Sequence, residues 1–89
     1  MNIYVLDGKD MTGRDAAYRT IRDVMDFPDY FGKNLDALAD CLGELNNGTA
    51  IVFVNTDLLR YYLNDYADRM LDTFRELSET AGFVFIEKR

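Results

Sequence analysis

The chain contains no histidine and no tryptophan, one proline, and a single cysteine, Cys41, in 89 residues. Without histidine it lacks the commonest general base and a principal nitrogen ligand for metals. One cysteine permits no internal disulfide, and no imidazole is at hand to activate its thiol. A reducing compartment and a half-buried structural thiol are therefore expected. No glycine-rich phosphate loop occurs; the six glycines are scattered as turn markers. The opening Met1-Asn-Ile-Tyr-Val-Leu6 is cut short by Asp7-Gly8, and no basic stretch precedes an apolar run. Neither a leader peptide nor a membrane-spanning segment is expected, and the chain reads as cytoplasmic. These absences argue against an enzyme, a resident cofactor and a membrane partner.

What the chain has in excess is negative charge: sixteen acidic residues against ten basic ones, a net charge of −6. A nucleic-acid binder needs a basic footprint to displace counterions, so nucleic acid is excluded as the expected partner. A basic protein partner is favoured instead, because complementary fields speed encounter and set orientation. The apolar fraction of 48% is that of an ordinary folded protein. Residues 1–89 are expected to form one domain, burying roughly 60–65% of the surface the unfolded chain would expose.

Hydrophobic patterning sets out the elements. Ile3–Leu6 reads as a strand stopped by Asp-Gly. Thr12, with Asp15 three residues on, offers an N-cap for a helix carrying Ala17, Tyr18, Ile21, Val24 and Met25. Pro28 closes that segment, since the residue before a proline is pushed out of the helical region. Asp29 to Lys33 forms a turn in which Gly32 can supply positive φ. Asn34 caps a second helix that ends at Gly43 or at Asn46-Asn-Gly48. The run Ala50–Val54 is continuously apolar, as in a strand covered on both faces. Asn55 or Thr56 caps a short third helix to about Leu63. A fourth runs from about Tyr66 to Thr80, and Phe83–Ile86 makes a last strand. Three apolar strands separated by helical stretches imply an α/β fold: a three-stranded parallel sheet flanked by about four helices. Right-handed crossovers restrict its topology to very few arrangements.

The second helix carries the most chemistry. With Leu35 at zero, Leu38, Leu42 and Leu45 fall within an arc of about 80°. Asp36, Asp40 and Glu44 fall at about 100°, 140° and 180°, opposite the leucines. Acids opposite an apolar stripe are ordinarily a solvated face. Two features point further. Asp36 and Asp40 are like charges four apart, which costs a few tenths of a kcal/mol with no cation on the same face. Asp40 also lies too far into the helix to gain much from its dipole. Tyr30 and Phe31 place aromatic surface just ahead of the acids, where core packing and partner contact are both open readings. Glu76 sits on the polar side of the fourth helix, where solvation is the default. A metal held by Asp36, Asp40 and Glu76 is a weaker reading, since magnesium sites usually involve substrate phosphates and calcium needs more oxygens.

The run Pro28-Asp-Tyr-Phe-Gly-Lys-Asn-Leu-Asp-Ala-Leu-Ala-Asp-Cys-Leu42 resembles the signature of the barstar family, small cytoplasmic inhibitors of secreted barnase-type ribonucleases. The family pattern is Tyr-Tyr/Phe-Gly-x-Asn-x-Asp-Ala-Leu-x-Asp-Cys-Leu, and nearly every position is met. The likeness continues to Phe74-Arg-Glu76 and the closing strand. It implies a three-stranded parallel sheet with four helices. It also implies a second helix that plugs a nuclease active site, its aspartates standing in for RNA phosphates. Carried over by position, the contact residues are Asp36 and Asp40, with Glu76 a secondary acid and Tyr30 the packing aromatic. Gly32 and Asn34 match loop and cap positions. The chain departs from the best-known member at Lys33, where that protein has an acid, at Ala39, where it has tryptophan, and in Gly43-Glu-Leu45.

The resulting expectation is a ribonuclease inhibitor binding a basic barnase-like nuclease one to one, without cofactor or metal. The face would be Tyr30, Phe31, Gly32, Asn34, Asp36, Asp40, Glu44 and Glu76. The alternative is an acidic interaction module that binds a basic non-nuclease protein.

Overall fold

The computed structural model describes all 89 residues. Three strands, β1 (Asn2–Asp7), β2 (Thr49–Val54) and β3 (Val84–Glu87), form one parallel sheet in the order β1-β2-β3. A 3-10 turn over Gly8–Asp10, then α1 (Arg14–Met25) and α2 (Leu35–Leu42), joins the first two strands. Helices α3 (Thr56–Leu63) and α4 (Asp65–Ala81) join the second to the third. The expected α/β architecture is therefore present, with each parallel step bridged by two helices.

The sheet register explains where the core sits. Tyr4 pairs with Ile51, which pairs in turn with Phe85, and Leu6 pairs with Phe53, on the face toward the helices. Phe53 meets Phe74 of α4 edge-on at 5.6 Å between centroids, and Phe85 stacks on Phe74 at 5.2 Å. Leu38 and Leu42 of α2, Ile21 of α1, Leu59 of α3 and Met70 of α4 are wholly buried in the same cluster. The alternate rows behave otherwise: Ile3, Val5, Val84 and Ile86 remain 66%, 54%, 42% and 42% exposed. The unbroken apolar run of β2 suggested cover on both faces, but the helices cover only one. Ala50 is nonetheless buried, being a small side chain in register with Ile3 and Val84.

Three local expectations are corrected. Gly13, not Thr12, occupies the N-cap of α1, with no side-chain hydrogen bond, so no capping box forms. Asn55 precedes α3 in the left-handed region (φ 54°) without capping it. Its side-chain amide instead donates to Asp7 Oδ1 at 2.7 Å, tying the end of β2 to the end of β1. Gly32 does not adopt positive φ; a Cβ there would press on Ala37 Cβ at 3.1 Å, so a larger residue would have to shift this neighbour by a few tenths of an ångström. At Gly8 space does require glycine, because a Cβ would sit 2.2 Å from the carbonyl oxygen of Asn55.

Candidate functional site

The loop before α2 decides how the aromatic pair is used. Asp26 takes the left-handed conformation at the end of α1 (φ 56°), and the chain turns back through Pro28-Asp-Tyr-Phe31. The amide of Phe31 donates to the Pro28 carbonyl at 2.9 Å, which makes Asp29 and Tyr30 the two central residues of a tight turn. Tyr30 is thrown outward and is 89% exposed, while Phe31 returns to the core at 8%. Phe31 lies against Tyr18 at 6.1 Å and Phe27 at 5.3 Å. Of the two open readings, core packing holds for the body of Phe31. Tyr30 alone presents a free aromatic surface.

Asn34 then caps α2 as expected, its Oδ1 accepting from the Ala37 amide at 2.8 Å. The cap fixes the phase of the helix relative to the loop. Leu38 and Leu42 turn into the core, and Asp36 and Asp40 are left exposed. The helix stops at Leu42, with Gly43 at the C-cap in right-handed geometry. Glu44 and Leu45 continue in tight turns, their amides donating to Cys41 and Leu42 carbonyls, so Glu44 stays beside Asp40. A Cβ on Gly43 would lie 3.6 Å from Leu77 Cδ1, which marks where α2 rests on α4.

Tyr30, Asp40 and Glu44 meet around one hollow of about 440 Å³, floored by Met25, Phe27, Pro28, Cys41 and Leu45. A smaller one of about 210 Å³ adjoins it, shared by Tyr30, Phe31, Gly32, Ala37, Asp40 and Cys41. Tyr30 and Asp40 therefore stand together at both. Asp36 opens the other way, into a hollow of about 360 Å³ that it shares with Arg14, Asn34, Leu35, Tyr66 and Arg69. Glu76, exposed on α4, borders none of these hollows. No three acidic or thiol side chains come close enough together to hold a cation.

The electrostatics of the face are simple. Asp36, Asp40, Glu44 and Glu76 have no cation within 4 Å. Lys33, in the loop just before the cap, is partly neutralised by Asp15 at 3.8 Å. Burial, and then the charges of Glu44 and Asp40, push the Cys41 thiol above its ordinary range. The thiol therefore stays protonated beside the acids, which suits packing and not nucleophilic chemistry. Beneath the loop, the Tyr18 hydroxyl is paired with the Tyr66 hydroxyl. Burial and that bond raise the Tyr18 phenol far above the usual tyrosine range. Tyr66, Arg14 and Arg69 were not legible as site residues, since nothing local relates positions so far apart in the chain.

Residues 1–86 match the family model described as Barstar (barnase inhibitor). A protein of Bacillus subtilis (strain 168), named "Putative ribonuclease inhibitor YrdF", is 36% identical over 80 residues, which cover 89% of this chain and 88% of that protein. No helix is long and apolar enough to cross a membrane.

Proposed function

This chain belongs to the barstar family, and on that premise we propose that it inhibits a basic ribonuclease by filling its active site with α2 and the loop before it. The observation that carries the proposal is the convergence of Tyr30, Asp40 and Glu44 on one hollow, with the acids free of cationic partners. A cleft that binds RNA must hold phosphates with arginine, lysine or backbone donors. Carboxylates presented on a rigid helix satisfy those donors in place of phosphate, and the inhibitor offers no bond for the nuclease to break. Asp40 is the central anchor, because it borders both hollows beside Tyr30. Asp36 adds a second charge-assisted contact, while Tyr30 packs over the rim and excludes water. Asn34, Gly32 and Phe31 act indirectly, by setting the helix phase and the course of the loop. Glu76 contributes at the edge, through long-range attraction.

Little reorganisation is needed on binding. The turn is closed by a backbone hydrogen bond, the helix is capped, and the leucine side is locked into the core. Such preorganisation lowers the entropic cost of association. The net charge of −6 favours fast encounter with a cationic cleft at low salt.

The test is titration of the purified chain against a panel of basic secreted ribonucleases, with RNA cleavage as the readout. Stoichiometric inhibition of at least one member, relieved by Asp40→Ala, is the expected result. Binding to basic proteins without loss of RNA cleavage would favour a general interaction module instead.

A further inference from the structure

Past Asp36 the acidic face gives way to a small basic one. Arg14 opens α1 and Arg69 lies in the second turn of α4, yet both guanidinium groups gather over the ring of Tyr66. Their central carbons are 3.8 and 5.3 Å from its centroid. The ring is held from below, because Tyr66 packs edge-on against Tyr18 at 6.4 Å and shares a hydroxyl hydrogen bond with it. Two planar cations are thus positioned on a rigid aromatic shelf, where little side-chain freedom remains to be lost on binding.

Arg14 and Arg69 belong, with Arg19, Lys88 and Arg89, to the cations of this chain that lack an ion pair, and of these they alone gather over one aromatic ring. Lys9, Arg22, Lys33, Arg60 and Arg75 each have a carboxylate within 4 Å. Arg14 and Arg69 have none, even though Asp36 borders the same hollow. Their N–H groups also find no side-chain acceptor. Two forks with unfilled donors face a hollow of about 360 Å³ whose other walls are Asn34, Leu35, Asp36 and Tyr66. Arginine pairs of this kind suit a planar oxyanion, which accepts two N–H groups at once.

A uniformly positive partner cleft would repel them. A nuclease cleft need not be uniform, because moving a proton during RNA cleavage requires a general base next to the groups that hold phosphate. Where that base is a carboxylate, it lies among cations.

We propose that Arg14 and Arg69 form a receptor for a carboxylate side chain of the nuclease, next to the cation that Asp36 meets. The assignment rests on the ribonuclease-inhibitor reading and refines it: the binding face presents acids and then bases, in an order that selects among nucleases.

The sign of one experiment decides it. The double variant R14Q/R69Q takes the net charge from −6 to about −8, so simple attraction to a basic enzyme predicts equal or tighter binding. A carboxylate receptor predicts the opposite: about 30-fold weaker binding to a ribonuclease that the native chain inhibits, most of it as faster dissociation. The R14K/R69K variant should recover only part of that loss, since lysine keeps the charge but not the fork. It also serves as the folding control if glutamine at these positions loosens Tyr66. Changing the nuclease carboxylate to its amide should weaken the native inhibitor and leave R14Q/R69Q unaffected. Undiminished binding by R14Q/R69Q, alongside a clear loss for Asp40→Ala, overturns the receptor and leaves the inhibitor reading standing. Failure of the native chain to inhibit any nuclease in the panel removes both.

Discussion

Two groups of acids in this molecule are treated in opposite ways. Across α3, α4 and β3, Asp68 is held by Arg60 at 2.9 Å, and Asp72 and Glu87 share Arg75. Arg75 reaches Glu87 with two nitrogens, at 2.6 Å each, in the forked geometry that joins a helix to a strand. On α2 and in the turn after it, Asp36, Asp40 and Glu44 are similarly exposed but have no cation within 4 Å. The first group spends its charge inside the molecule, whereas the second keeps it available. Other exposed acids are also unpaired, so lack of a partner is not the distinguishing mark. The mark is that the α2 acids are unpaired, clustered and fixed in position beside an exposed tyrosine.

The contrast predicts that substitutions in the two groups will affect different measurements. The largest effect is expected at Asp40. Asp40→Ala should weaken nuclease binding by about 2 kcal/mol or more, roughly 30-fold, as at an interface anchor. Its melting temperature should hold or rise slightly, because a like-charge i,i+4 pair is relieved. An equal loss of stability would erase the distinction between the groups. Arg75→Ala is the converse: about 1 kcal/mol of stability lost after allowing for solvent screening, with inhibition unchanged. Glu44→Lys gives Asp40 the kind of neighbour that Asp68 and Asp72 already have. It should lower affinity about tenfold through a slower approach and a weaker hold. It should also gain a few tenths of a kcal/mol in stability from the Asp40 pairing and the helix C-terminus.

Acid titration tests the structural side. Burial pushes the Asp7 carboxyl up, but the Asn55 amide, the Lys9 backbone N–H and the Lys9 ammonium outweigh it and hold it below its ordinary 3.8. The unfolded chain takes up this proton more readily, so the stabilisation is in place above about pH 3.8 and fades as pH falls through the folded value. Asp7→Asn should therefore flatten the melting-temperature profile at the acid end and leave inhibition at neutral pH alone. The smallest effect is expected at Cys41. Its raised thiol should label slowly with iodoacetamide, faster in Asp40→Asn, and more slowly still when nuclease covers the hollow it borders. Labelling that is unchanged by the nuclease would place the interface elsewhere.

How much of this was legible in the chain depended on the range of the forces involved. The acid face and leucine face of α2 follow from residues three and four apart, and the Asn34 cap from a hydrogen bond spanning three residues. Short-range rules reach that far. Tyr30 and Phe31 could not be told apart, because their fates depend on closure of the Pro28 turn and on a cavity bounded by Tyr18. Asn55 was misread for a related reason. Cap chemistry is local, but its amide found Asp7, 48 residues away.

By itself the sequence determined the strand and helix order, the parallel α/β class and the rib of acids on α2, since each arises from backbone geometry and periodicity along a continuous stretch. Only the tertiary structure decided which face of the sheet lies bare, and that Asp68 and Asp72 of α4 are paired while Asp36 and Asp40 of α2 are free. It alone brought Arg14 and Arg69 together over Tyr66. Those outcomes depend on side chains distant in the chain meeting at a few ångströms, where burial and Coulomb forces act on position and not on spacing.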